Sequence, residues 1–283
     1  MVLLVRRVSV RAPVDRIPSR RANQQIRRPE VYPENPTMLR PLSALTAAAF
    51  LVAPAFAQDK KDAKKDDGWV QLFNGKDLTG WKIPDPPSGE FKKGVIEKKN
   101  TDGKVVAFVG VLKKDDKEVT LWEVKDGTIV GGGPSSHIFT DIEAEDFVFR
   151  VEAKINDKGN SGQYFRTKFG PGFPAGYEAQ INATHSDPIR TGSLYPDGRT
   201  KLKDHKKEIA TVMNTATHKP DEFFTQEVTA VGADITIKVN DKETLKWTDP
   251  DKTFTKGHFA LQGHDPGSVM TFKKVEYKPI SKK

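Results

Sequence analysis

The chain of 283 residues contains no cysteine. Structural disulfides, thiolate zinc sites and cysteine nucleophiles are therefore excluded. A domain without them is held by its apolar core. Long apolar runs are nearly absent too. The exception is MLRPLSALTAAAFLVAPAFA, which starts at Met38. Arg40 gives it a short positive region, Leu42 to Val52 an apolar core, and Ala55-Phe56-Ala57 a small-x-small cleavage site. That is the pattern of a secretory signal peptide, too short and too early for a stable membrane anchor. The expected mature protein starts at Gln58, is secreted or periplasmic, and has no membrane anchor. Residues 1–37 are Arg-rich with no apolar period, as expected of a start codon assigned too far upstream.

An excess of one charge sign is also missing from the mature part. The full chain has 46 Lys+Arg and 38 Asp+Glu. Residues 1–57 hold nine Arg, no Lys and three acids, so the remainder carries 37 basic and 35 acidic groups, a net of +2. Nothing in that balance points to nucleic acid. Residues 58–67 (QDKKDAKKDD) read as a disordered charged linker, and residues 68–283 as one domain.

Nucleotide and hydrolase signatures are lacking as well. Gly131-Gly132-Gly133-Pro134 leads into no helix and reads as a turn rather than a phosphate cradle. There is no Gly-x-Ser-x-Gly elbow, and Ser161 in NSG reads as a turn residue. No His-Glu-x-x-His occurs, which leaves His185 and Asp187 in THSDP as the weak metal candidates. No metal and no cofactor is expected.

Helical periods are scarce; LKDHKKEIATV is the mildly helical exception and reads as a loop. What fills the chain is short alternating strand signal between turns. Asp102-Gly103 and Asp126-Gly127 are hairpin dipeptides. DFVFRVEAKI places Phe147, Phe149, Val151, Ala153 and Ile155 on one face. Two packed, mainly antiparallel sheets are expected over residues 68–283, an all-β sandwich or barrel.

Three strand segments carry polar ladders. In YEAQI, Tyr177, Ala179 and Ile181 form the apolar face, leaving Glu178 and Gln180 on the other. In QYFR, Tyr164 and Arg166 lie opposite Gln163 and Phe165. FALQGH puts Gln262 and His264 on one face. Converged on one sheet, these groups and Asn160 make a cleft suited to sugars. A hairpin between the first two segments predicts Glu178 within about 5 Å of Arg166. No Glu-x-Asp-x-x-Glu strand supplies the closely paired carboxylates of a retaining glycosidase.

LFNGKDLTGW, LWEVKDGTIVGGG, NSGQYFR, GYEAQI, TGSLY and GHFALQGHD, in that order, resemble the 3-keto-disaccharide hydrolase domain family over Gly68 to Ile280. The resemblance implies a concanavalin A-like jelly-roll β-sandwich of two antiparallel sheets. It implies a sugar site involving Asn160, Arg166, Glu178, Gln180 and His264. The chain departs from the family pattern between Trp81 and Trp122, where about 40 residues read as an extra hairpin at the cleft rim. It departs again at Gly263, where the family more usually has Asp.

The implied activity is cleavage of 3-keto-glycosides or 3-keto-disaccharides. A C3 ketone acidifies the C2 proton, so abstraction, elimination of the C1 substituent and hydration amount to hydrolysis. Either Glu178 or His264 can serve as base, with Arg166 as oxyanion partner. Asn160, Tyr164, Gln180, Gln262 and Tyr195 are the substrate-binding candidates. The competing expectation is a non-catalytic, lectin-like carbohydrate-binding module. It would use aromatics such as Trp69, Trp81 or Trp122, although Trp122 in LWEV suits a core.

Overall fold

The computed structural model describes residues 68–281. The upstream extension, signal peptide and charged linker lie outside the described residues.

Strands arise where the sequence alternates. In chain order they are β1 (Val70–Gln71), β2 (Trp81–Lys82), β3 (Ile96–Lys99), β4 (Val105–Val111) and β5 (Glu118–Lys125). Next come β6 (Thr128–Gly132), β7 (Ser136–Ala144), β8 (Phe147–Ile155), β9 (Ser161–Thr167) and β10 (Tyr177–Ile181). The last five are β11 (Phe224–Val231), β12 (Asp234–Val239), β13 (Lys242–Thr248), β14 (Gly257–Gly263) and β15 (Val269–Pro279). They form two antiparallel sheets. The larger runs β13-β12-β11-β8-β15-β6-β5-β4-β3, with β1 beside β15; the smaller runs β10-β9-β14-β7-β2. This is the expected jelly-roll sandwich.

Alternation sets the packing. Phe147, Phe149, Val151, Ala153 and Ile155 of β8 are buried, and the residues between them are partly exposed. They meet Phe165, Tyr177, Ala179, Ile181, Phe259 and Leu261 of the smaller sheet in one core. Phe149 and Phe259 lie 4.4 Å apart between centroids, and Phe147 and Phe165 6.0 Å. Such pairs add about 0.5–1.5 kcal/mol each to their area burial. Turns follow their dipeptides: at the β5–β6 hairpin Asp126 and Gly127 have φ of 49° and 72°, as a type I′ turn requires.

Two expectations need correction. LKDHKKEIATV is not a loop: it forms a 3₁₀ turn (Lys201–His205) and a short helix, α1 (Lys206–Ile209). Buried Leu202 and Ile209 hold it against the body, and Glu208 accepts the Trp247 indole N–H at 3.0 Å. The 82–118 segment does form a hairpin, β3–β4, but at an edge of the larger sheet rather than at the cleft rim. From this segment, Pro87 reaches the loop joining β9 and β10 and accepts the Gly172 N–H at 2.8 Å.

Candidate active site

The smaller sheet's outer face carries a pocket of about 360 Å³. Register assembles it. Glu178 of β10 pairs with Tyr164 of β9, and Gln262 of β14 pairs with His137 of β7. Side chains pointing away from the core thus meet across four strands. Residues 191–199 run beside β10: Gln180 N–H donates to Ser193 O, and Tyr195 N–H to Glu178 O. This path delivers Tyr195, Asp197 and Arg199 to the pocket wall. The loop 168–176 delivers Phe173.

Glu178 is the most buried acid of the pocket. Its Oε2 accepts the Tyr164 hydroxyl at 2.6 Å and its Oε1 the Gln262 amide at 3.0 Å. With its amide oriented to satisfy both ends, Gln180 donates to Ser161 O at 2.9 Å and to Glu178 Oε1 at 3.3 Å. Gly162 makes this cage possible: a Cβ there would lie 2.4 Å from Glu178 Oε1. Burial pushes the Glu178 carboxyl up to about 8, against the two hydrogen bonds that favour its anion. The acid therefore keeps its proton near neutral pH. Tyr164 is held well above the usual phenol range by burial and by Glu178 beside it.

Asp265 organises two imidazoles. His185 Nδ1 accepts the Asp187 N–H at 3.1 Å, so its Nε2 carries the proton toward Asp265 Oδ2, also at 3.1 Å. Both His185 nitrogens are thereby spent. His264 Nδ1 lies 2.7 Å from the same Oδ2, and Asn160 Nδ2 3.2 Å from it. Hydrogen on Nδ1 suits that carboxylate, whereas hydrogen on Nε2 suits the Asn160 amide, whose Nδ2 also lies 3.2 Å from His264 Nδ1.

The Asp187 carboxylate accepts Ile189 N–H at 2.8 Å and the Tyr195 hydroxyl at 3.0 Å. These bonds stiffen the pocket wall and leave His185 and Asp187 little to offer a metal. Among the described residues there is no group of three or more His, Asp or Glu arranged to hold one.

The structure brings together Glu178, His264, Asn160, Tyr164, Gln180, Gln262 and Tyr195, all on the pocket wall. It separates Arg166 from them. Arg166 has φ of 50°, which breaks the period-2 alternation and turns its side chain away. The guanidinium is buried and donates to Glu145 O, Gly232 O and Phe254 O, with Asp146 at 3.4 Å. Glu178 therefore pairs with Tyr164, and the expected Glu178–Arg166 contact does not form. Arg166→Ala is expected to cost about 3–5 kcal/mol by stranding those carbonyls and Asp146. Urea unfolding checks the loss, and kcat of the folded variant should stay within about twofold.

The pocket's cation is instead Arg199. It pairs with Asp197 through Nε at 2.9 Å and Nη2 at 2.7 Å, and donates to Phe173 O at 2.8 Å. Burial works to raise Asp197, but bonds from Arg199 outweigh it and hold the carboxyl below its usual range. Sequence reasoning missed Arg199, Asp197, Phe173 and Asp265. PDGRT reads as a plain turn although it directly follows TGSLY, and Asp265 is the last residue of GHFALQGHD. The Gly263 departure also resolves. A Cβ there would lie 2.6 Å from both Gly132 O and Ser136 O, so no acid fits, and the carboxylate beside His264 is that of Asp265.

The stacking tryptophans expected of a lectin are elsewhere. Trp122 is fully buried, Trp81 is buried with its indole N–H on Leu72 O at 2.7 Å, and Trp69 lies under Arg150 at 4.0 Å.

The family model described as 3-keto-alpha-glucoside-1,2-lyase-like domain matches residues 68–280, and the chain belongs to that family. No curated protein matches the sequence. Two crystal structures of candidate glycosyl hydrolases from Parabacteroides distasonis share the fold. One is 24% identical with a TM-score of 0.50, covering 76% of this chain and 94% of that one. The other is 18% identical with a TM-score of 0.50, covering 75% and 99%.

Proposed function

We propose that this member of the 3-keto-alpha-glucoside-1,2-lyase-like family cleaves 3-keto-glycosides by elimination and hydration. The observation that carries the reading is a buried acid that holds its proton, on one pocket wall with an imidazole that faces a carboxylate. In this reading His264 carries its hydrogen on Nδ1, toward Asp265 at 2.7 Å, which leaves a lone pair on Nε2, and Glu178 holds its proton to about pH 8. This assigns His264 as base and Glu178 as acid.

In the first half-reaction His264 Nε2 takes the C2 proton, and the electron pair moves onto the C3 oxygen as an enolate. Arg199 is the cation available to hold that charge; it replaces Arg166 in the role. The enolate then expels the C1 substituent, whose oxygen receives the Glu178 proton. An enone with a C1–C2 double bond results. In the second half-reaction water adds its oxygen to C1 and gives a proton to Glu178. His264 returns its proton to C2. Both groups end as they began. Asn160, Gln180 and Tyr195 bind hydroxyls around the ring. The paired carboxylates of ordinary glycosidases are not needed.

Asp265 is a positioning residue here. Asp265→Asn keeps the shape but loses the demand for a proton on Nδ1. The expected result is a kcat about 10²-fold lower with KM within twofold, read by steady-state kinetics. Equal changes in both would indicate a merely structural role.

The site of action would be outside the cytoplasm, by the leader at Met38. N-terminal sequencing of the native protein should begin at Gln58. Retention of residues before Met38 would contradict this.

A further inference from the structure

His137 is the least explained polar residue near the pocket. It is 1% exposed, and neither ring nitrogen has a hydrogen-bond partner among the described residues. Burying such a group unpaired costs about 1–3 kcal/mol. It lies between two pocket rings, edge-on to Tyr164 at 5.2 Å and to Phe173 at 5.7 Å. Its cross-strand neighbour is Gln262, whose amide nitrogen is committed to Tyr164 and Glu178 while its Oε1 is unpaired. Phe173 caps this spot from the loop 168–176. Its ring also lies 5.0 Å from His264, yet the residue is 41% exposed.

Resting on the reading above, we infer that the pocket continues under Phe173 as a second subsite, in which His137 and Gln262 Oε1 bind hydroxyls of an uncharged leaving group. Burial drives the His137 imidazole down to about 3, so the ring is neutral, with one N–H and one lone pair. Together with Gln262 Oε1 the subsite offers one donor and two acceptors. Hydroxyls both donate and accept, so a polyol ring satisfies all three. A carboxylate or phosphate would satisfy only the donor and face two lone pairs. Phe173 supplies the apolar wall against which the C–H face of such a ring packs. For the ring to enter, the Phe173 ring must shift outward, and its exposure leaves room for that. His137 and Phe173 thus set the preference for the leaving group, while Glu178 and His264 act on the oxidised ring.

The test compares a 3-keto-glucosyl-glucose disaccharide with methyl 3-keto-glucoside, which share the reacting ring. For His137→Phe, the ratio of kcat/KM values, disaccharide over methyl glycoside, should fall at least about tenfold, the worth of roughly one hydrogen bond. Phe173→Ala, at an exposed position that folding tolerates, should lower the same ratio about threefold or more. If both ratios stay within twofold of the parent protein, the subsite is refuted. If His137→Phe does not fold, the Phe173→Ala ratio alone decides. If the parent protein cleaves neither compound, the reaction reading falls. The subsite is then judged by calorimetric binding of the two compounds. A preference of about tenfold for the disaccharide that His137→Phe or Phe173→Ala reduces would support it, and equal affinities would refute it.

Discussion

Replacing Glu178 by Gln is expected to lower kcat/KM on a 3-keto-glycoside by about 10²–10⁴-fold, the usual worth of a positioned general acid. The amide keeps the shape of the carboxyl and can still bond Tyr164 and Gln262, so sugar binding should change little. Wild-type activity should fall as pH rises through about 8, where Glu178 loses its proton. The residual activity of Glu178→Gln should lack that basic limb. The same substitution has a stability signature with a fixed sign. Glu178 is raised in the folded chain from 4.5 to about 8. Between those values the native state binds more protons than the unfolded state, so stability falls as pH rises. The contribution of the protonated acid is complete below about pH 4.5 and lost through pH 8. Glu178→Gln removes this loss. Its Tm should exceed the wild type's by about 5 °C at pH 9 and by much less at pH 5. Thermal melts at the two pH values read the difference directly. A variant with full turnover, or one whose advantage grows toward low pH, would contradict the assignment.

His264→Ala is expected to cost about 10²–10⁴-fold in kcat, the usual worth of a positioned general base. His185 cannot substitute, since both its nitrogens are occupied by Asp187 N–H and Asp265. The residue is partly exposed at the pocket mouth, so the fold should survive. Calorimetry should therefore show sugar binding retained while turnover is lost. Loss of both together would instead make His264 a binding residue, as in a lectin-like module. If the two residues act on one elimination, as proposed, the Glu178 and His264 losses should not add.

Strand alternation was enough to read the sandwich. Every second residue of β8 is buried, as DFVFRVEAKI indicated, and β10 presents Glu178 and Gln180 outward as YEAQI indicated. The pocket followed as far as the alternation held. It failed at Arg166, where one positive φ turned a pocket candidate into a buried brace. Period-2 reasoning carries no information about such a residue. Arg199, Asp197 and Phe173 were illegible for another reason. They come from irregular segments whose positions depend on tertiary bonds, such as Arg199 to Phe173 O and Gly172 to Pro87 O. The role of Gly162 was equally hidden, since it depends on the carboxylate of a neighbouring strand.

In the proposed reaction the C3 ketone, rather than a pair of carboxylates, makes the bond labile. Incubating the purified protein with methyl 3-keto-glucoside and, in parallel, with its unoxidised parent tests it most directly. Methanol is expected from the keto sugar and none from the parent. Cleavage of the parent at a comparable rate, or of neither compound nor any other 3-keto-glycoside, would contradict it.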